Sequence, residues 1–256
     1  MRDLHGRVAV VTGAASGIGL GIAEAFAAEG MRLVLADVDS NRLAHEAERL
    51  RSSGCELETA PTDVGDAAAV QSLADVTMAR FGAVHVVCNN AGIIRPGRTW
   101  ELPLEDWNAV LRVNLLGVVH GVRSFVPLLL ASGEEGHVVN VASMAAVVPV
   151  PGIGPYNVSK HGVLALSETL HAELQAAGAP VGVSVVMPGR VRSRLGRTPG
   201  SPDDPELSGP AEPGVIEPAE VGRQVVDAVR EGRLHVFTHP ERLDEVRARF
   251  ARITAR

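Results

Sequence analysis

The sequence predicts a doubly wound α/β fold, in which helices cover both faces of a parallel sheet. Short β-branched runs alternate with segments of helical period along the 256 residues, and parallel sheets arise from such strand–helix–strand units. Runs such as residues 181–187 are almost continuously apolar, as expected of strands buried on both faces. A glycine-rich turn joins the first strand to the first helix. We therefore expect a single Rossmann-type domain over residues 1–256 with a seven-stranded parallel sheet.

The predicted elements follow one another in the order that this fold requires. Strands are predicted at residues 7–11, 31–36, 56–60, 84–88, 136–141, 181–187 and 234–238. Helices are predicted at residues 20–28, 41–51, 66–81, 155–177, 218–232 and 241–253, with one long helix inside 104–130. Asp66 and Pro218 are residue types that begin helices, and Gly82 and Gly232 are of the type that ends them.

Residues 190–217 differ from the rest of the chain. They are rich in proline and glycine and show no periodicity, which is typical of a functional loop when it is this long. We expect a mobile substrate lid there, which excludes water when a ligand binds and which proteases cut first in the free protein.

Composition excludes several classes of function. The net charge of −6 and pI near 5.9 disfavour nucleic-acid binding. No run of eighteen apolar residues and no signal-peptide pattern are present, so we expect no membrane span and a cytoplasmic location. Cys55 and Cys88 are expected to be free, buried thiols. No histidine spacing suggests a metal site; His235 and His239 lie four residues apart without a third ligand.

The glycine turn at residues 12–19 predicts a dinucleotide site. Gly13 allows a tight turn, and Gly17 allows a pyrophosphate to approach the backbone. Gly19 allows the first helix to pack closely on the first strand. The helix that follows directs N–H groups and the positive end of its dipole towards that pyrophosphate.

Polar residues follow the predicted strands at the edge of the sheet where ligands bind in this fold. They are Asp37, Asp63, Asn89, Ser143 and the pair Pro188–Gly189. Because parallel strands end at the same edge, we expect all of them to converge on one crevice.

Asp37 predicts the choice of cofactor. A carboxylate eighteen residues after Gly19 can accept hydrogen bonds from an adenosine ribose and would repel a 2′-phosphate. Neither Ser16 nor Val38 supplies a compensating cation, so NAD is expected rather than NADP.

A tyrosine and a lysine predict acid–base chemistry. Tyr156 and Lys160 lie one helical turn apart on the same face, and Tyr156 is the only tyrosine in the chain. A phenol has a pKa of about 10, and a nearby ammonium favours the phenolate. We expect Ser143 to donate a hydrogen bond to the carbonyl oxygen of a substrate. We expect Asn114 to hold a water molecule behind Lys160.

These motifs together resemble the short-chain dehydrogenases/reductases of about 250 residues. The matching segments are Thr12 to Gly19 (TGxxxGIG), Asn89 to Gly92 (NNAG), Asn114, Ser143 with Tyr156 to Lys160 (YxxSK), and Pro188–Gly189. The resemblance covers the chain from about residue 4 to residue 253. It implies strand order 3-2-1-4-5-6-7, a catalytic tetrad of Asn114, Ser143, Tyr156 and Lys160, a nicotinamide cofactor and a homotetramer.

The resemblance also implies which residues meet the ligands. Cofactor contacts would come from Gly13, Ser16, Gly17, Ile18, Gly19, Asp37, Val38, Asp63, Val64, Asn90, Ala91, Gly92, Tyr156, Lys160, Pro188, Gly189, Val191 and Ser193. Substrate contacts would come from Ser143, Met144, Ala145, Val150 and Tyr156. In the implied reaction Tyr156 takes the proton of an alcohol while hydride passes to NAD, and ketone reduction is the reverse.

Three alternatives stay open at this point. An NADP-dependent carbonyl or acyl-thioester reductase would use the same residues, although Asp37 disfavours it. A non-catalytic dinucleotide sensor would tend to lack Tyr156 and Lys160, and an extended-type epimerase would have a different glycine spacing. The apolar stretch at residues 144–153 suggests that the small-molecule alcohol or ketone is largely apolar, and Arg95 and Arg98 leave room for an anionic end.

Overall fold

Seven parallel strands form the central sheet. They are β1 (Val8–Thr12), β2 (Arg32–Asp37), β3 (Leu57–Pro61), β4 (Val86–Asn89), β5 (Gly136–Val141), β6 (Val181–Met187) and β7 (His235–Phe237). Their spatial order is β3-β2-β1-β4-β5-β6-β7, and every neighbouring pair is parallel. The structure, a computed structural model, describes residues 1–193, 195 and 213–255. The predicted fold class and strand order are confirmed.

Helices connect the strands and cover the sheet. They are α1 (Gly17–Ala28), α2 (Ser40–Ser52), α3 (Ala67–Phe81), α4 (Leu104–Leu111), α5 (Gly117–Ser132), α6 (Gly154–Ala176), α7 (Pro218–Glu231) and α8 (Leu243–Thr254). The predicted long helix over 104–130 is in fact three pieces, because a π-helical turn at Arg112–Leu116 separates α4 from α5. π-Turns inside α-helices occur frequently at functional sites.

The predicted helix ends agree with the structure where the residue type dictates the backbone. The Asp66 side chain accepts a hydrogen bond from the Ala68 N–H at the start of α3. Gly82 and Gly232 adopt left-handed conformations at the ends of α3 and α7, with φ of 70° and 66°. Glycine adopts this conformation without a Cβ penalty, which is why it marks helix ends so reliably.

Helices α1 and α7 pack with their backbones in contact. A Cβ added to Gly21 would lie 2.4 Å from the Pro218 carbonyl oxygen, and one added to Gly222 would lie 2.2 Å from the Gly21 oxygen. Larger residues at either position would push the two helices apart. This contact fixes the start of α7, and therefore the point where the chain returns from the predicted lid.

The two ends of the predicted lid pair with each other. Arg190–Val191 and Val215–Ile216 form a short parallel ribbon outside the main sheet. The expectation of no regular structure over 190–217 is therefore wrong at both ends of the segment. Residues 194 and 196–212 lie outside the described residues, so the mobile lid stays a prediction.

The two cysteines differ in burial. Both are free; Cys88 is fully buried and burial raises its pKa, whereas Cys55 is only partly buried.

The stretch Leu104–Ser132 is long and apolar enough to cross a bilayer, with a mean hydropathy of 1.6. Core helices of soluble proteins meet the same criterion, and here α5 packs on β4, β5 and α3.

Candidate active site

The glycine turn lies at the carboxyl edge of the sheet and leads directly into α1. Gly13 and Gly17 both have positive φ, of 67° and 54°. A Cβ on Gly19 would lie 2.0 Å from the Gly13 carbonyl oxygen, so the missing side chain lets the helix fold back onto its own turn. The turn therefore needs glycine at all three positions. At Gly19 a side chain would collide with the carbonyl of Gly13 in the turn, whereas the sequence predicted close packing against the first strand.

The first turn of α1 leaves its amides open to a ligand. The N-cap residue Ser16 makes no side-chain capping bond to these N–H groups. Ser193 lies over the turn, since a Cβ added to Gly17 would lie 3.1 Å from the Ser193 Cβ. Ser16, Gly17 and Ser193 are thus brought together, as the resemblance implies, with Ile18 half-buried beside them. An uncapped helix N-terminus of this kind fits an anionic pyrophosphate.

Asn90 connects β4 to the glycine turn. Its Nδ2 donates to the Thr12 carbonyl at 2.8 Å, and the Thr12 hydroxyl accepts from the Asn90 and Ala91 amides at 3.0 and 3.2 Å. A Cβ on Gly13 would lie 2.8 Å from Asn90 Nδ2, so the turn and the Asn90 amide are in direct contact. Asn90 thus ties the end of β4 to the glycine turn, and its contact with a cofactor stays a prediction.

Asp37 is held rigidly beside this turn. Its Oδ2 accepts from the Ala15 amide and its Oδ1 from the Asp39 amide, both at 3.0 Å. Each carboxylate oxygen keeps a second lone pair that a ribose hydroxyl can use. Val38 beside it is 61% exposed, and Arg42, in the first turn of α2, pairs with Asp39.

Asp63 pairs with a cation from the π-turn. Its Oδ2 lies 2.8 Å from an Arg112 nitrogen, and its Oδ1 accepts from the Gly65 amide at 2.9 Å. Burial opposes ionisation, but the Arg112 and Gly65 hydrogen bonds hold the pKa of Asp63 below its ordinary value. Val64 is buried against Gly117, and its carbonyl bonds His120. Any contact of Asp63 and Val64 with adenine stays a prediction.

Asn89 does not join the crevice, contrary to the sequence prediction. It is the last residue of β4 and is buried, and its Nδ2 donates to Asn140 Oδ1 at 2.9 Å. Its side chain occupies the space that Gly121 leaves free, where an added Cβ would lie 1.9 Å from Asn89 Oδ1. Asn89 therefore packs the sheet against α5, while Asn90 and Gly92 face the site.

Tyr156 and Ser143 lie close together at the site. Tyr156, in the first turn of α6, is 8% exposed, and its hydroxyl is near enough to the Ser143 side chain to influence its pKa. Burial raises the pKa of the Tyr156 hydroxyl, and the Ser143 side chain only partly offsets this effect. The expectation that Lys160 lowers this pKa is therefore not met by the chain alone, because desolvation disfavours the phenolate more strongly.

Lys160 is the only lysine in the chain. It is 3% exposed, and its Nζ donates to the Val141 carbonyl at 2.8 Å. Burial lowers the pKa of this amine to about 8. The Nζ lies 5.6 Å from the centre of the Tyr156 ring, which places a positive charge near the phenol without a direct bond to it.

Asn114 lies in the π-turn and is fully buried. Its Oδ1 accepts from the Ile93 amide at 2.8 Å, and its Nδ2 donates to the Ile93 carbonyl at 2.9 Å and to Ser159 Oγ at 3.2 Å. Both N–H donors of the amide are used, so a water behind Lys160 would have to use another atom. A Cβ on Gly92 would lie 3.4 Å from Asn114 Oδ1 and 3.6 Å from Lys160 Nζ, so these three residues are adjacent.

The predicted substrate wall begins inside the core. Met144 is buried among Val118, Val163 and Met187, and Ala145 is also buried, whereas Val150 is 43% exposed. The wall is therefore anchored at residues 144–147 and opens towards solvent at Val150. Arg95 and Arg98 are exposed and pair with Asp106 and Glu101.

Sequence reasoning missed two partners that hold this site together. Ile93 binds the Asn114 amide through its backbone, and Arg112 binds Asp63 across 49 positions in the chain. A backbone contact carries no residue-type signal. The arginine carries only a weak one, since exposed arginines are common.

Comparison with known proteins agrees with this geometry. A family model described as short chain dehydrogenase matches residues 7–202. The 1-deoxy-11-beta-hydroxypentalenate dehydrogenase of Streptomyces avermitilis is 40% identical over 240 residues, which cover 93% of this chain and 86% of that protein. The chain belongs to the short-chain dehydrogenase/reductase family and is an oxidoreductase of alcohols and ketones.

Solved structures of relatives share the whole fold. A short-chain dehydrogenase/reductase from Burkholderia phymatum in complex with NAD has a TM-score of 0.91 and 40% identity, with 99% of this chain and 96% of that chain covered. An alcohol dehydrogenase from Thermococcus sibiricus complexed with 5-hydroxy-NADP has a TM-score of 0.77 and 30% identity, with 90% and 94% covered. Both kinds of nicotinamide cofactor thus occur among similar structures.

Proposed function

We propose that this protein is an NAD(H)-dependent dehydrogenase that interconverts a secondary alcohol and a ketone on a largely apolar small molecule. The observation that carries the proposal is the arrangement of buried Tyr156 and Lys160 with half-buried Ser143, at the sheet edge that also holds an uncapped helix N-terminus and a fixed Asp37. Bound NAD would supply the hydride acceptor and a positive charge on its nicotinamide ring.

The protein's own side chains carry out the proton transfer. Ser143 donates a hydrogen bond to the substrate oxygen, and Tyr156 accepts the hydroxyl proton as general base. Because burial raises the pKa of Tyr156, its phenolate requires a positive charge nearby when the site is loaded. Lys160 supplies part of that charge, and Asn114 holds the segment at Ile93 against the site.

The choice of NAD over NADP rests on Asp37. Two backbone amides fix its carboxylate, and the nearby Arg42 is paired with Asp39. An NADP-dependent carbonyl reductase is the second candidate, favoured only by the NADP analogue in the Thermococcus sibiricus relative.

Asp37→Ala is expected to narrow the preference for NAD. In the unmodified protein NADH should bind more tightly than NADPH, and the substitution should reduce the ratio of the two affinities about tenfold by removing like-charge repulsion. Fluorescence titration with both cofactors measures this. Glu48→Ala, which removes an exposed carboxylate elsewhere on α2, is the matched control and should leave the ratio almost unchanged. Tighter binding of NADPH than NADH by the unmodified protein would contradict the proposal.

The substrate class follows from the wall at residues 144–150 and from the relative that is named as acting on a hydroxypentalenate. The test is NADH formation with a panel of steroid, terpenoid, sugar and short aliphatic secondary alcohols. Apolar cyclic alcohols should show the highest kcat/KM. Polyols that outperform them would contradict this substrate class.

We also propose a homotetramer, on the evidence of apolar side chains exposed along α5 and α6. Leu116 at the end of the π-turn, Leu130 on α5 and Val158 on α6 are each 43–50% exposed. Several such residues on neighbouring helices are typical of a subunit interface.

Light scattering should give about four times the chain mass of 26.8 kDa at micromolar concentration. Replacing both Leu116 and Leu130 by Glu should lower the assembled mass, because charges would be buried at the interface. Val76→Glu on α3, where Val76 is also exposed, is the control and should leave the mass unchanged. A stable monomer for the unmodified chain would refute the proposal.

A further inference from the structure

The peptide bond between Pro188 and Gly189 is held on both of its sides. Its carbonyl oxygen accepts from the Met144 amide at 2.8 Å and from the Ser143 hydroxyl at 3.4 Å. Its N–H, on Gly189, donates to His239 Nδ1 at 3.1 Å. A trans peptide directs its C=O and N–H to opposite sides, so the two sets of contacts fix the orientation of one plane.

The register of the sheet places His239 at this position. Met187 in β6 lies opposite Phe237 in β7. The segments that follow these two strands, with Gly189 on one and His239 on the other, therefore lie side by side. A Cβ on Gly189 would lie 2.8 Å from the His239 ring, so the imidazole is in direct contact with the glycine.

His239 is buried, and its two ring nitrogens have different surroundings. Nδ1 accepts from Gly189 and lies 2.7 Å from the Thr238 hydroxyl, so the ring proton is on Nε2. Nε2 is buried and makes no hydrogen bond within the part of the chain that the structure describes. An unsatisfied buried donor is unfavourable, and an apolar ring of the same shape would avoid it. The useful property of a histidine here is therefore the acceptor at Nδ1.

We propose that His239 is a positioning residue for the reaction: it holds the Pro188–Gly189 peptide plane and, through that plane, Ser143. If the Gly189 N–H loses its acceptor, the peptide can rotate, since glycine tolerates the required backbone angles. Rotation would take the Pro188 carbonyl away from Met144 and Ser143, where the site begins. The reaction would then lose the fixed position of the Ser143 hydroxyl against Tyr156. This inference rests on the proposed function.

The test compares His239→Phe with His239→Asn. Phenylalanine keeps an aromatic ring but has no acceptor, whereas the Asn Oδ1 is attached at the same position along the side chain as the histidine Nδ1. We expect His239→Phe to lower kcat about 10- to 100-fold, and His239→Asn to stay within about threefold of the unmodified enzyme. His137→Phe is the matched control, because His137 is also buried but bonds Ser184 and lies one residue from the start of β5, at the opposite edge of the sheet. It should lower the melting temperature without lowering kcat.

Hydrogen exchange of the Gly189 amide provides a measurement that does not depend on activity. The amide should be protected in the unmodified protein and in His239→Asn, and should exchange faster in His239→Phe. An unchanged kcat in His239→Phe, an equal loss in His239→Asn, or an unprotected Gly189 amide in the unmodified protein would each overturn the inference. If no alcohol of the panel is oxidised, the proposed function fails and the catalytic part of the inference fails with it, while amide exchange still decides whether His239 holds the Gly189 amide. If His239→Phe does not fold, the His239→Asn rates and the exchange of the unmodified protein decide it.

Discussion

Tyr156→Phe should abolish turnover while leaving cofactor binding close to that of the unmodified enzyme. The ring keeps its place in α6, but the group that takes the proton is lost, and a positioned general base contributes about 10²–10⁴-fold to the rate. Initial rates on the best alcohol measure kcat, and NADH fluorescence measures binding. If the variant kept a tenth of the kcat, another group would have to be the base.

The phenol can also be observed directly, because Tyr156 is the only tyrosine in the chain. The ultraviolet absorbance of phenolate therefore reports this one residue, with Tyr156→Phe as the blank. In the protein alone the apparent pKa should lie above the ordinary value, since burial raises it. Addition of NAD should lower it, because a positive charge then lies near the oxygen. An upward shift on adding NAD would contradict the proposed mechanism.

Lys160→Met should lower kcat by about 10²-fold and weaken NAD binding several-fold. Methionine fills a similar volume but cannot carry the charge near Tyr156 or the bond to the Val141 carbonyl. Steady-state kinetics and cofactor titration measure the two effects separately. If the variant has a normal kcat and only binds NAD more weakly, Lys160 contributes to cofactor binding and not to the proton transfer.

The same variant tests the burial of the amine through the pH dependence of stability. The pKa of Lys160 falls from 10.5 to about 8 on folding, so the unfolded chain binds more protons between these values. The free energy of unfolding should therefore rise by about 1 kcal/mol from about pH 7 to pH 9, relative to Lys160→Met. Urea unfolding of both proteins at the two pH values measures this difference. A fall instead of a rise would show that the folded state favours the ammonium.

Sequence was most informative where a single residue type dictates the backbone. Gly82 and Gly232 end their helices as predicted because left-handed backbone requires glycine, and β5 and β6 have the predicted bounds because their apolar runs are buried on both faces. The adjacency of Gly92, Asn114 and Lys160 agrees with motifs that sequence can identify. Most other ends of elements differ by one or two residues, where neighbouring residue types suit either state.

The remaining features depend on distant parts of the chain. The π-turn interrupts a continuous helical pattern, and no residue type in Arg112–Leu116 distinguishes it from an α-helical turn. Asn89 and Asn90 are adjacent and chemically identical, yet the Asn89 side chain fills the space beside Gly121 while the Asn90 side chain bonds the glycine turn. The rise in the pKa of Tyr156 results from burial, which the spacing of Tyr156 and Lys160 does not reveal.

The short ribbon of Arg190–Val191 with Val215–Ile216 has a consequence for protein engineering. The ribbon holds together the two ends of the segment that connects Val191 to Val215. The contact between Gly21 and Gly222 fixes the start of α7 just after that segment. The entropy of closing a loop grows slowly, by about 0.6 kcal/mol for each doubling of its length. We therefore expect residues 196–212, whose replacement leaves Ser193 in place over the glycine turn, to be exchangeable for segments of other lengths. Grafted segments of other lengths should alter which alcohols are accepted while the Rossmann domain keeps its melting temperature.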